Sequence, residues 1–138
     1  MQQITPDPSL SPALTALLAH ALQDASALGL EAALARYRTS DHLLLVHPTL
    51  EVPQGIIGLR RLGPERAAVV HLAVDPALRR RGIGRELIAG AVLRFGLTVL
   101  EAQSDAQTAG FYRALGFEVT PLDPTDPDAQ RFRCLWQL

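Results

Sequence analysis

The spacing of apolar residues changes several times along the chain, and each change marks an element. Gln2 to Thr5 reads as a short edge strand before the turn-forming Pro6-Asp7-Pro8. Ser11 and Pro12 supply a helix cap and a first helical residue, and Leu14, Leu17, Leu18, Ala21, Leu22 and Ala25 then keep helical spacing up to Gly29. A second, shorter helix carries Leu30, Ala33, Leu34 and Tyr37. His42 to His47 is an aliphatic strand whose hairpin partner, Gln54 to Leu62, lies across Pro48–Pro53. After the Gly63-Pro64 turn, Arg66 to Val74 makes a third antiparallel strand. Ile83, Leu87, Ile88, Ala91, Val92 and Phe95 form a helical stripe between Gly82 and Gly96.

Leu97 to Ala102 follows as a strand that crosses back parallel to its predecessor. Ser104 and Gln107 predict a capping box for a helix over Asp105–Leu115, with Gly116 in the left-handed position after it. Phe117 to Leu122 and Gln130 to Leu138 close the sheet, and Phe132, Cys134, Trp136 and Leu138 alternate on one face of the last strand. The pattern predicts an α/β (α+β) fold: one mixed, mostly antiparallel sheet of six to seven strands flanked by about four helices, in a single domain spanning 1–138.

Composition narrows the function classes. With 138 residues, 48% of them hydrophobic, the chain can bury a core without staples. Its one cysteine, Cys134, rules out an internal disulfide and suits a reducing cytoplasm. The apolar stretch after Pro12 is broken by His20, Gln23 and Asp24, so neither a signal peptide nor a membrane span is expected. A net charge of −1 with few aromatics argues against an extended nucleic-acid surface. All 13 basic residues are arginine, which excludes a lysine nucleophile. No metal site is read. The hydrophobic last strand leaves monomer and homodimer both open.

One turn concentrates the chemistry. Asp75-Pro76 ends a strand, and Arg79-Arg80-Arg81-Gly82-Ile83-Gly84-Arg85 leads into a helix. A helix start presents unpaired N–H groups and about half a positive charge, and glycines there let an anion approach the main chain. The spacing is neither a P-loop nor a three-glycine dinucleotide fingerprint. With Leu72-Ala73-Val74-Asp75-Pro76 before it and Phe111-Tyr112-Arg113-Ala114-Leu115-Gly116-Phe117 after it, the chain resembles the GCN5-related N-acetyltransferase (GNAT) superfamily over almost its whole length.

The resemblance implies acetyl-coenzyme A as cosubstrate and an amine acceptor of unknown identity. It implies that the main chain of Leu72, Ala73 and Val74 holds the pantetheine arm. Arg79, Arg80, Arg81, Gly82, Ile83, Gly84 and Arg85 would surround the pyrophosphate, with Asp105 and Phe111 also beside the coenzyme. Asp105 stands where the family often has asparagine, and its charge changes that contact. The first two helices and their loop would form the acceptor side.

Amine acetylation needs a held thioester, a neutral amine and a proton source for the thiolate. Tyr112 matches the tyrosine that in many relatives lies beside the coenzyme sulfur, and a phenol of pKa about 10 is protonated at neutral pH. An alkylamine of pKa about 10.4 costs roughly 4–5 kcal/mol to deprotonate at pH 7. Many relatives meet this with a carboxylate on the strand entering the loop, but Ala68 and Val70 hold that parity here. His71 falls on the other face by simple alternation and would turn inward only at a bulge. His71 and Glu101 remain the two candidate bases, with His42 and His47 behind them. Asp123, Asp126 and Asp128 read as a soluble loop, or as an attraction for a cationic acceptor. The sequence leaves two functions open: an acetyl-coenzyme A-dependent N-acetyltransferase acting by direct attack in a ternary complex, and a catalytically silent acyl-coenzyme A-binding module on the same scaffold.

Overall fold

The computed structural model describes residues 1–5, 12–22 and 26–138. The expected Pro6–Pro8 turn, the Ser11 cap and the helical position of Ala25 lie outside the described residues. One seven-stranded sheet holds the strands in the order β1-β2-β3-β4-β5-β7-β6. Its first four members are β1 (Gln2–Ile4), β2 (His42–Pro48), β3 (Pro53–Gly63) and β4 (Arg66–Val74), each antiparallel to the one before it. β5 (Val99–Asp105) runs parallel to β4, and β7 (Arg131–Gln137) and β6 (Glu118–Pro121) complete the sheet antiparallel.

Helices cover both faces. On one side, α1 (Pro12–Ala19) and α2 (Ala27–Arg36) bury Leu14, Leu17, Leu18, Ala33 and Tyr37 against Leu44, Val46, Ile56 and Ala73. On the other, α3 (Ile83–Phe95) and α4 (Ala106–Ala114) bury Leu87, Ile88, Ala91 and Tyr112 against Leu45, Ile57, Leu59 and Leu100. The β2 and β3 runs alternate between the two clusters, which is why they read as continuous aliphatic strands.

Three details depart from expectation. The first helix ends at Ala19, and Gly29 is not its stop: Ser26 caps α2 by accepting from the Gly29 N–H, so Gly29 sits in the first turn of the second helix. Asp105, not Ser104, caps α4, its carboxylate accepting from Thr108 N at 2.9 Å; β5 runs on through Ser104, which is buried against Cys134. β7 is an interior strand between β5 and β6, with Cys134 and Trp136 packed into the chain's own core, so its hydrophobic face gives no argument for a dimer. Leu138, placed with that face by alternation, is exposed.

Candidate active site

β4 ends at Val74, where Asp75 caps a short 3-10 turn, Pro76–Leu78, by accepting from Ala77 N at 3.0 Å. The chain then takes a left-handed step at Arg80 (φ 67°) and another at Gly82 (φ 77°) before α3 begins. A positive φ is unfavourable for arginine, so this bend is held against local preference. No side chain caps α3, and its first backbone bond to Gly82 O comes from Glu86. The N–H groups of Gly82, Ile83, Gly84 and Arg85 therefore point out of the helix start without an intrahelical partner. A Cβ on Gly82 would meet nothing within 4 Å, so the main chain is open there.

Gly84 is a glycine for a different reason. A Cβ there would lie 2.9 Å from Phe111 Cε1 and 3.0 Å from Cζ, so its bare α-carbon is where the Phe111 ring seats. Arg79, Arg80, Arg81 and Arg85 are all exposed around the turn. The donor set fits a diphosphate: free main-chain N–H groups, a helix dipole and surplus cationic charge.

The sheet parts beside this turn. β4 and β5 pair only at Arg66–Val99, Ala67–Leu100 and Ala68–Glu101, so from Val69 to Val74 β4 has no β5 partner. A cleft of about 610 Å³ lies at the parting, reaching from His20 and Arg36 on the α1–α2 side, past His71, to Phe111 and Tyr112 on the α4 side.

His71 reaches that cleft through a bulge. The register passes from Gly58–His71 to Leu59–Val69, leaving Val70 as the extra residue. Ala67, Val69, Leu72 and Val74 pack with the α3–α4 core, whereas His71 and Ala73 face α1 and α2. The alternation that would have put His71 opposite Ala68 is thus overturned, because a bulge reverses strand parity. His71 is buried, and its Nδ1 is hydrogen-bonded to Tyr37 Oη. Burial, then the Arg36 guanidinium and His42, push its pKa down to about 4, so it is neutral at physiological pH. The Tyr37 ring lies over Gly58, whose missing side chain makes room for it.

Tyr112 is also buried, its ring edge-on to Phe111 and to Phe117 at 5.1 Å between centroids. Burial, with a smaller contribution from Cys134, pushes its phenol pKa well above the ordinary value. Glu101 is held by Arg66 at 2.6 Å and by Arg133 at 3.6 Å. Asp105 lines the cleft, its carboxyl held below the usual range mainly by the Thr108 N–H and hydroxyl. His42 is tied to Asp41 and Thr39, and His47 Nε2 to Glu86 at 3.0 Å in the first turn of α3. Asp123 and Asp126 cap their own loop, accepting from Thr125 and Asp128.

The structure thus gathers Leu72, Tyr112, His71, Phe111 and Asp105 around one cleft and puts Glu101 in the adjoining hollow. Sequence reasoning missed Tyr37, filed as one of a helical stripe. The signal was Gly58, a glycine inside an aliphatic strand where a neighbour approaches closely. Among the described residues no group of three or more His, Cys, Asp or Glu side chains is placed to hold a metal. No described helix is long and apolar enough to cross a membrane.

Solved structures share this architecture. PaiA N-acetyltransferase of Thermoplasma acidophilum, in complex with coenzyme A, superposes with a TM-score of 0.73 at 16% identity, over 99% of this chain and 98% of that one. The ribosomal-protein-S18-alanine N-acetyltransferase of Escherichia coli gives 0.69 at 18% identity, over 99% and 92%. Among curated relatives, N-alpha-acetyltransferase RimI of Mycobacterium tuberculosis is 39% identical over 70 residues, 46% of this chain and 44% of that protein. Peptidyl-lysine N-acetyltransferase YjaB of Salmonella typhimurium is 39% identical over 56 residues, 40% of this chain and 39% of that protein. The chain thus matches less than half the length of these curated relatives. The acetyltransferase (GNAT) domain profile matches residues 40–119, from the start of β2 through the uncapped turn and Tyr112 to β6, and with that span the chain belongs to the GNAT acetyltransferase family.

Proposed function

We propose that this chain transfers an acetyl group from acetyl-coenzyme A to a primary amine by direct attack in a ternary complex. The observation that carries the reading is the parting of β4 from β5 after Ala68, directly upstream of an uncapped helix start ringed by arginines. Acetyl-coenzyme A supplies the activated acyl thioester. The N–H groups of Gly82 to Arg85, with Arg79, Arg80 and Arg81, hold its diphosphate. The free side of Leu72, Ala73 and Val74 takes its amide-bearing arm as a sheet takes a strand. Holding amine and thioester in contact removes the entropic cost of their encounter.

Tyr112 is the hydroxyl at the far end of the cleft. Fully protonated at neutral pH, it donates a hydrogen bond to the thiolate as charge develops there and passes on its proton as the thiol leaves. His71, neutral and anchored through Nδ1 to Tyr37, is the candidate to take the ammonium proton. Its depressed pKa makes it a weak base, so it can take the proton only after the amine has attacked the thioester and its nitrogen has become more acidic. Glu101, engaged by two arginines and lining the adjoining hollow, is the less available candidate.

A binding-only role is the second reading. Ala68 in place of a carboxylate and the double engagement of Glu101 both favour it. Titration calorimetry with acetyl-coenzyme A, followed by mass spectrometry of an amine panel, tests the two together. Heat plus acetylated amine supports the transferase, heat without product supports the binding module, and absence of heat removes both.

A further inference from the structure

We infer that the acceptor is an anionic amine, one carrying a carboxylate or a phosphate, seated in an arginine-lined hollow on the α1–α2 face of the parting sheet. The inference rests on the transferase reading above and names its acceptor class. Register places a row of residues across one face: His42 on β2 opposite Arg60 on β3, Arg60 opposite Ala68 on β4, and Ala68 opposite Glu101 on β5. Neighbouring strands are about 4.8 Å apart, so the short Ala68 leaves a depression between two long charged side chains. A hollow of about 590 Å³ opens over it, a size that suits a small molecule or the end of a peptide.

Its charge is one-sided. Arg36, Arg60, Arg131 and Arg133 line it against a single carboxylate, Glu101. Glu101 is itself engaged by Arg66 and Arg133, and Asp105, across from Arg131 in the sheet, is engaged mainly by Thr108, so the two carboxylates only partly balance the other three arginines. Among the described residues, Arg36, Arg60 and Arg131 have no carboxylate within ion-pair distance. They come from α2, β3 and β7, three elements that converge only in the folded chain. Arg131 and Arg133 share a face because they alternate with Phe132 and Cys134 along β7.

The hollow adjoins the reactive cleft, because Arg36, Val69, Val70, Gln103 and Arg131 line both. A bound anion would therefore sit beside an amine directed toward His71 and Tyr112. Planar guanidinium groups match carboxylate and phosphate oxygens in pairs. The same field disfavours a second cation, so an ammonium drawn in by its own anionic group arrives easier to deprotonate. Ala68 also leaves no carboxylate at that position to repel the acceptor's anionic group.

The test uses matched amines with coenzyme A saturating, so that the diphosphate site is filled and cannot capture the probe. Glycylglutamate is set against glycylglutamine amide, and phosphoethanolamine against ethanolamine, with binding read by calorimetry and turnover with acetyl-coenzyme A by product mass. In at least one pair the anionic member is expected to bind and react about tenfold better or more. The responding pair tells carboxylate from phosphate. The ratio should shrink as salt shortens the Debye length, and Arg60→Gln and Arg131→Gln should each narrow it about threefold or more. Equal affinities within both pairs, preference for the neutral member, or no binding of any of the four overturns the acceptor assignment. A chain that ignores acetyl-coenzyme A altogether instead strikes the transferase reading itself.

Discussion

Replacing Gly58 by alanine tests whether the Tyr37–His71 pair is locked in place. Gly58 has no left-handed backbone requirement, so any effect comes from space. The new methyl would overlap Tyr37 Oη and Cζ and lie 2.8 Å from Cε1. Tyr37 has little room to yield: it is 3% exposed, with its ring centroid 5.6 Å from that of His71 and 6.0 Å from that of His42. Moving the ring breaks the bond to His71 Nδ1 and leaves a buried imidazole nitrogen unpaired, about 1–3 kcal/mol. Overpacking adds about 1–3 kcal/mol. The sum, about 2–6 kcal/mol, is a large fraction of the roughly 7–20 kcal/mol expected for a domain of this size. Urea unfolding should show the midpoint falling by about 1–3 M at unchanged slope, for a slope of about 2 kcal/mol/M. Tyr37→Leu in the same chain should recover part of the loss, a coupling that a double-mutant cycle reads directly. A cost below about 1 kcal/mol for Gly58→Ala, or strict additivity with Tyr37→Leu, would refute the idea that Gly58 exists to seat Tyr37.

Three further outcomes are expected. Tyr112→Phe should keep stability within about 1 kcal/mol, since both ring contacts survive, while turnover falls about a hundredfold or more; undiminished turnover removes Tyr112 as proton donor. His71 has a folded pKa near 4 against about 6.5 in the unfolded chain, so only the unfolded state takes up a proton between those values. Stability that is fully present above pH 6.5 is therefore lost as pH falls toward 4, by about 2 kcal/mol after solvent screening, and His71→Gln should flatten that difference in urea titrations. Gly82→Ala should cost about 1–2 kcal/mol through its φ of 77°, with no steric clash, and should weaken acetyl-coenzyme A binding measured by calorimetry; unchanged affinity would place the diphosphate elsewhere.

The strand and helix order was legible because turn residues punctuate it and because the apolar period switches between two and 3.6. What the sequence hid follows from competition between near-equal signals. Ser104 and Asp105 are both good caps, and the choice fell to Asp105 because pairing with β7 extends β5 through Ser104 and buries it. Gly29 reads as a stop, yet Ser26 three residues earlier starts a helix there. The bulge at Val70 was illegible because Ala67 to Val70 are all apolar, so a slip of one residue leaves no mark on the pattern. Parity therefore failed at the position that decides where His71 points. Gly84 was read as an opening for phosphate, but its α-carbon is covered by Phe111, a contact 27 residues away that no local spacing reveals.

The short pairing of β4 with β5 also has a consequence for how the chain meets other chains. An ordinary sheet has its raw borders at its two outermost strands, whereas here a run of unsatisfied peptide groups opens midway across the layer. Such a border templates strand invasion. Filling the gap with a small ligand would then protect the chain against self-association as well as prepare it for reaction.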